Sequence, residues 1–297
     1  MWLLMKALSY SFSELQKNTD PVLTQNEEVS KEVSYMEKID NFALQEFGMD
    51  NQLSRFVKAK NYFHFKNSPA LLLEPEVTTY DVKGNKDYVL TAERADYLDS
   101  GEIKFKGKVN IRSGSGITHK MKTRELLVST KTDDLISNKK VTYLGENLKI
   151  VSQGMHMQTK EDKMKLTGKA VIKQDSGQKI VTKNIYIDQS NGQKHYYSKY
   201  DTTYLAQEDT IYSKGMDLDM QKEIMQLLGK VKILQNSGTK IDTQDLTVDQ
   251  SNDGDVYRTK EKIHYQSKLA DIRAIGMHYD TKKRKIKLTG GVIGSYE

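Results

Sequence analysis

Six histidines, His64, His119, His156, His195, His264 and His278, are the first side chains to test for chemistry. No two of them stand at a metal-ligand spacing such as H-x-H or H-E-x-x-H. His156 and His278 occupy one position of an internal repeat, and the copy between them places Asp217 there. A position that accepts either side chain reads as an outward strand site rather than a catalytic base. The chain has no cysteine, which excludes disulfides, thiolate metal sites and thiol nucleophiles. The segment "DQSNDGD" sets Asp249, Ser251, Asp253 and Asp255 at alternate positions, as in a calcium loop. Its twelfth position is Lys260 where such a loop needs glutamate, so a hairpin turn accounts for it better. Nucleophile elbows, phosphate loops and dinucleotide-binding glycine patterns do not occur. Carboxylates distant in sequence can converge as in a glycosidase, but no spacing singles out a pair. Catalytic residues, metal ligands and cofactors are therefore not expected.

The elements that carry these residues are built from a repeat. Gly107-Lys108-Val109, Gly168-Lys169-Ala170, Gly229-Lys230-Val231 and Gly290-Gly291-Val292 recur every 61 residues. Ser115-Gly116, Ser176-Gly177 and Ser237-Gly238 keep that interval, as do Tyr143, Tyr204 and Tyr265. So do Gly154-Met155, Gly215-Met216 and Gly276-Met277. Within each unit the period is two. Ile103, Phe105, Gly107, Val109 and Ile111 alternate with Lys104, Lys106, Lys108 and Asn110. The second copy runs Met164, Leu166, Gly168, Ala170, Ile172, and the third Met225, Leu227, Gly229, Val231, Ile233. The fourth gives Ile286, Leu288, Gly290 and Val292. Such alternation describes strands with one apolar and one charged face. The lysine face serves solubility and edge protection, with a few lysines free to meet anionic groups.

Turn signals such as "DSGE", "TKED", "SNGQ" and "DTKKR" leave several short strands per unit, which suits an antiparallel meander. Helical stretches long enough to join parallel strands are missing, so a doubly wound fold is unlikely in this chain. A parallel β-helix, belonging to a surface scaffold or a polysaccharide-acting enzyme, is the rival architecture. The recurrent mid-strand glycine predicts a bend that curves the sheet into a trough. The composition agrees: 297 residues, 37% hydrophobic and 29% charged, with 46 basic and 40 acidic residues interspersed to a net charge of +6. That mild balance fits neither a nucleic-acid arm nor a polytopic membrane protein. The N-terminal patch Trp2, Leu3, Leu4, Met5, Ala7, Leu8 and Phe12 is shorter than the roughly 20 residues of a membrane span. It is expected to be an interfacial anchor or the tail of a longer one, with residues 1–38 as anchor remnant and linker.

Residues 39–173 resemble the LptC family of lipopolysaccharide-transport proteins. The resemblance is carried by "IDNFALQEFGMDNQLSRFVKAKNYFHF", "PEVTTYDVKGNKDYVLTAERADY" and "GMHMQTKEDKMKLTGKAVI". The family's "L-x-A-E-R-A-x-Y" pattern falls on Leu90, Ala92, Glu93, Arg94, Ala95 and Tyr97. The 61-residue units are similar to the OstA-like repeat of LptA bridge proteins, and the ending "KLTGGVIGSYE" to the last LptC strand. The chain departs in length: residues 174–297 add two LptA-like units to an LptC-like module. The resemblance implies an elongated, twisted antiparallel β-jellyroll whose open apolar groove holds the acyl chains of lipopolysaccharide. It also implies a periplasmic place, tethered to the inner membrane through the N-terminus. Receipt of lipid from an inner-membrane ABC transporter and edge-strand pairing with an LptA-type bridge protein follow from it as well.

The alternation supplies the candidate groove lining. Besides the apolar series above, it takes in Leu126, Val128, Tyr143, Met155, Met157, Ile185, Ile187, Tyr204, Met216 and Leu218. Leu246, Val248, Tyr265 and Met277 continue it. Inward methionines are flexible and polarisable and can repack around chains of varied shape. For docking, the candidates are Phe42 and Leu44 on the first strand and Leu288, Val292 and Tyr296 at the end. A last strand from Lys285 to Val292, with neither proline nor helix to block it, is expected to leave an edge open for β-augmentation.

Overall fold

The computed structural model describes residues 35–48, 51–98, 100–114, 119–129, 132, 134–251 and 254–296. The apolar N-terminal patch, Ser115-Gly116 and Asp253 lie outside the described residues. The chain is all-β: 24 strands form one antiparallel ladder, with two short 3-10 turns and no α-helix among the described residues. Every pairing there is antiparallel, which excludes the parallel β-helix.

The ladder follows chain order, and its long strands are bent at the middle. In the strand Lys163–Gln174 the first half pairs with Gly154–Gln158 and the second with Leu148–Ser152. The next strand, Lys179–Asp188, pairs along its length but slips register between Leu166 and Lys169, at Gly168. The same slip occurs between Lys106 and Val109 and between Leu227 and Lys230, at Gly107 and Gly229. All three glycines have positive φ, from 73° to 91°, a region L side chains avoid. The bulge also frees ladder amides, and side chains take them up. Gly168 donates its N–H to Asn184 Oδ1 at 2.8 Å, and Gly229 to Asp245 Oδ1 at 2.6 Å. The mid-strand glycines are therefore the bend predicted from sequence.

Other rungs consist of two short strands that meet at a hydroxyl residue. Ser152 and Ser213 each cap the carbonyl two residues on, at 2.9 Å, where Leu148–Ser152 gives way to Gly154–Gln158 and Asp209–Ser213 to Gly215–Asp219. These breaks line up with the bulges. The sheet is thereby creased lengthwise into two wings, with the apolar face of the alternation inside and the lysine face outside.

The terminal strand departs from expectation. Lys285–Leu288 pairs with one half of Ala270–Asp280 and Ile293–Tyr296 with the other, and residues 289–292 form the crease between them. Gly290 and Gly291 both have positive φ, so the backbone turns at Val292 rather than running through it. The final strand is thus two short ones extending to Tyr296, not a single strand ending at Val292. Among the described residues, Glu37–Phe47 and this last pair are the strands hydrogen-bonded on one side alone.

Candidate functional site

The alternation places its residues where the two wings face each other. Phe105, Leu126, Tyr143, Met155, Leu166, Ile185, Tyr204, Met216, Leu227 and Leu246 are at most 1% exposed. Val109, Ile111, Met157, Met164, Ile172, Ile187, Leu218, Met225, Val231, Ile233, Val248 and Met277 are also buried in this one cluster. Repeat-equivalent residues therefore recur every fourth rung along the interior, with other apolar side chains between them. Ile103, Val128, Tyr265, Ile286 and Leu288 pack against the cluster but remain partly open; Tyr265, Ile286 and Leu288 lie toward its C-terminal end, whereas Ile103 and Val128 lie well inside the ladder. Through the middle the interior is filled by its own side chains, and access increases outward.

The candidate docking residues divide. Phe42 is buried, stacked on Tyr62 with ring centroids 5.0 Å apart, and Leu44 leans on the core. Val292 and Tyr296 are 53% and 76% exposed. Other large apolar side chains are open beside them: Leu269, Ile275 and Ile293 at this end, Met36 and Phe47 at the other. Scattered singly such residues mean little, but Phe47, Ile293 and Tyr296 lie on strands with an unpaired edge.

Where the wing tips meet on the side opposite the crease, polar side chains close the sandwich. Tyr143 Oη lies 2.7 Å from His119 Nδ1 and 3.4 Å from Tyr196 Oη, and Gln189 Nε2 donates to Tyr143 Oη at 3.2 Å. Lys194 pairs with Glu146 across the same gap. One repeat further, Tyr204 donates its hydroxyl to Asp255, and Gln250 Nε2 donates to Tyr204 Oη at 3.1 Å. Gln178 Nε2 reaches Asp255 Oδ1 at 3.2 Å, and Arg284 pairs with Glu208. Burial raises the Tyr143 and Tyr204 hydroxyls well above their ordinary value and pushes His119 down, so these three side chains favour their uncharged forms. Burial also raises Asp209 and Asp255.

Alternation identifies the interior but only part of this mouth. Its tyrosines sit on strands and the alternation includes Tyr143 and Tyr204, but their partners His119, Glu146, Gln178, Gln189, Lys194, Gln250 and Asp255 lie between strands, outside any period of two. The available signal was the repeat itself, since Tyr143 and Tyr196 reappear 61 residues on as Tyr204 and Tyr257, both inward. Of the histidines, His156 and His278 lie on outer strand faces, and His195 pairs with Asp217, His264 with Asp271. No cluster of three metal-ligating side chains occurs among the described residues. In "DQSNDGD", Asp249 Oδ1 accepts from the Ser251 amide at 3.1 Å and from its hydroxyl at 2.6 Å, as in a turn.

A creased antiparallel ladder closed around a continuous apolar interior defines an all-β, jellyroll-like protein of elongated, repeating build. The family model described as "Lipopolysaccharide-assembly, LptC-related" matches residues 1–171 and 232–297. The chain belongs to this LptC family, and its role accordingly lies in lipopolysaccharide transport. No curated protein matches the chain. Among the described residues no helix is long and apolar enough to cross a membrane.

Proposed function

We propose that this protein binds lipopolysaccharide through its acyl chains and hands it along the inter-wing interior, without catalysing a reaction. The protein works in the periplasm, held at the inner membrane through its N-terminus. It takes lipid from an inner-membrane ABC transporter and passes it to an LptA-type bridge protein docked on an open edge strand. The observation that carries this reading is one continuous apolar interior in which repeat-equivalent residues recur every fourth rung, Phe105, Leu166, Leu227 and Leu288 and Met155, Met216 and Met277 among them. A repeated sequence makes its core periodic in any case; what suits a path for one chain type is that this interior stays apolar and methionine-rich from unit to unit. Acyl chains would enter at the partly open ends and displace side-chain contacts inward. Each buried methylene is worth about 0.8 kcal/mol, and methionines can yield the space. Residues 39–173 then act as an LptC-type module and 174–297 as two further units of the same jellyroll. The interval between the two family-matched segments, 172–231, is within one residue of the 61-residue repeat, as insertion of a whole unit would leave it.

A photo-crosslinking residue at Leu166 or Met225 is expected to capture lipopolysaccharide in cells. The same residue at Lys165, on the outer face beside Tyr186, is expected not to. Equal capture at inner and outer positions would remove the interior path.

A further inference from the structure

The mouth between the wings is built twice from the same repeat positions, and the two copies differ. In the first, Leu148 and Lys194 stand beside Tyr143 and Tyr196, and the space left is about 30 Å³, room for one water. In the second, 61 residues on, the leucine has become Asp209 and the lysine Asp255, beside Tyr204 and Tyr257. There the mouth opens into a cavity of about 740 Å³, within the range of small-molecule sites. Asp209 is 3% exposed and Asp255 6%. Their recorded partners are hydrogen-bonding and neutral: Tyr204 and Gln178 for Asp255, and Gln235 Nε2 at 3.2 Å for Asp209. Tyr257, with no exposure, lines the cavity too. Its hydroxyl lies near enough to Asp209 to feel its charge but lacks the geometry of a hydrogen bond, and it has no other partner.

Two buried carboxylates and an unsatisfied hydroxyl on the wall of a partly open cavity are costly unless something meets them there. Lys282 and Arg284 also line the cavity, but neither is among the recorded partners of Asp209 or Asp255, and Arg284 is paired with Glu208. A neutral polyol would satisfy hydrogen bonds but bring no cation to the two carboxylates. The sister copy shows what the position accommodates, since it supplies an ammonium group of its own, Lys194. We propose that the Asp209–Asp255–Tyr257 cavity is a binding site for a small ligand bearing a primary ammonium group, which occupies the place that Lys194 fills in the preceding copy. The ammonium hydrogen-bonds to both carboxylates, and the remainder of the ligand lies against Tyr257 and Tyr279 toward the ion pair Arg284–Glu208 at the rim. This assignment is independent of the lipid path, because it concerns the polar seam and not the apolar interior.

The matched probes are 6-amino-6-deoxyglucose and glucose, which differ by one ammonium for one hydroxyl. Titrated into the full chain at pH 7 and followed by calorimetry and tyrosine ring resonances, the amino sugar is expected to bind saturably and at least tenfold more tightly than glucose. The double variant Asp209→Leu, Asp255→Lys writes the preceding copy's residues into this one. It is expected to remain folded, by an unchanged β-sheet circular dichroism spectrum, and to lose at least tenfold in affinity. The milder Asp209→Asn, Asp255→Asn pair is expected to show the same loss with no new charge. Equal affinity for both sugars, absence of saturable binding, full binding by the asparagine pair, or displacement of the amino sugar by millimolar calcium chloride would each overturn the assignment.

Discussion

Single residues set two properties that can be measured directly. Gly168 holds the crease at φ +74°, and a Cβ built there would stand 2.1 Å from Gln153 Oε1 and 2.9 Å from Gln153 Cβ. Gly168→Ala therefore combines backbone strain with displacement of a side chain that itself accepts the Lys169 amide at 3.0 Å. It is expected to cost about 1–3 kcal/mol in urea unfolding. Gly177→Ala, at φ +99° with open space around it, is expected to cost less, about 1 kcal/mol. Equal losses would mean that the crowding at the crease contributes nothing. The second property is pH dependence. Burial raises Asp209 and Asp255, and burial with the nearby charges of Asp162 and Asp81 lifts Asp87 to about 6. A raised carboxyl means the folded chain retains a proton that the unfolded chain releases near pH 4. Stability from these groups is thus fullest below that value and falls as pH climbs, through about 6 for Asp87. Replacing Asp209 and Asp255 with asparagine is expected to make the fall between pH 4 and 7 shallower. Parallel curves for variant and parent would show that neither aspartate titrates differently in the folded state.

At the scale of the strand, the open edges matter most. The last rung consists of Lys285–Leu288 and Ile293–Tyr296, each four residues long and bonded to one neighbour. Cutting after Gly276 would sever the strand Ala270–Asp280 that supports them, whereas cutting after Thr281 removes the rung and leaves its support whole. The shorter deletion is expected to abolish pull-down of an LptA-type partner while the remaining ladder keeps its circular dichroism signature. Capture at parental strength would place the docking edge elsewhere. Much of this level was legible in the sequence, for a physical reason. A period of two records which face of a strand is buried, so Met164, Leu166 and Ile172 declared themselves. The glycines at 107, 168 and 229 announced a bend because few other pressures keep glycine in a strand. The break at 289–292 was less visible, since a pair of glycines turns the backbone without disturbing the hydrophobic alternation on either side. The mouth was hidden for a different reason. Contacts such as Gln174–Gln250 and Gln178–Asp255 span 76 and 77 residues and join turns, where no local pattern records the partner.

Across the whole molecule, burial is uneven in a way that bears on transport. The ladder has no break in hydrogen bonding from Glu37–Phe47 to Ile293–Tyr296, yet the apolar interior is sealed at Phe105, Leu166 and Leu227 and partly open at Ile39 and Leu44 at one end and Leu288 at the other. In a repeat protein each unit is stabilised mainly by its neighbours, so end units, with one neighbour each, open most readily. The exposed side chains of Met36 and Phe47, and of Ile293 and Tyr296, lie on those same end units. A conveyor needs this arrangement: ends that part to admit or release a chain, and a middle that keeps water out. Hydrogen–deuterium exchange is therefore expected to show the slowest amides in Lys163–Gln174 and Ile224–Gln235 and the fastest in Glu37–Phe47 and Ile293–Tyr296. A docked partner should slow the C-terminal pair specifically, because continuing the ladder satisfies amides that otherwise face solvent. Uniform protection along the ladder would indicate one rigid block, and access for lipid would then have to come through the polar mouth between the wings.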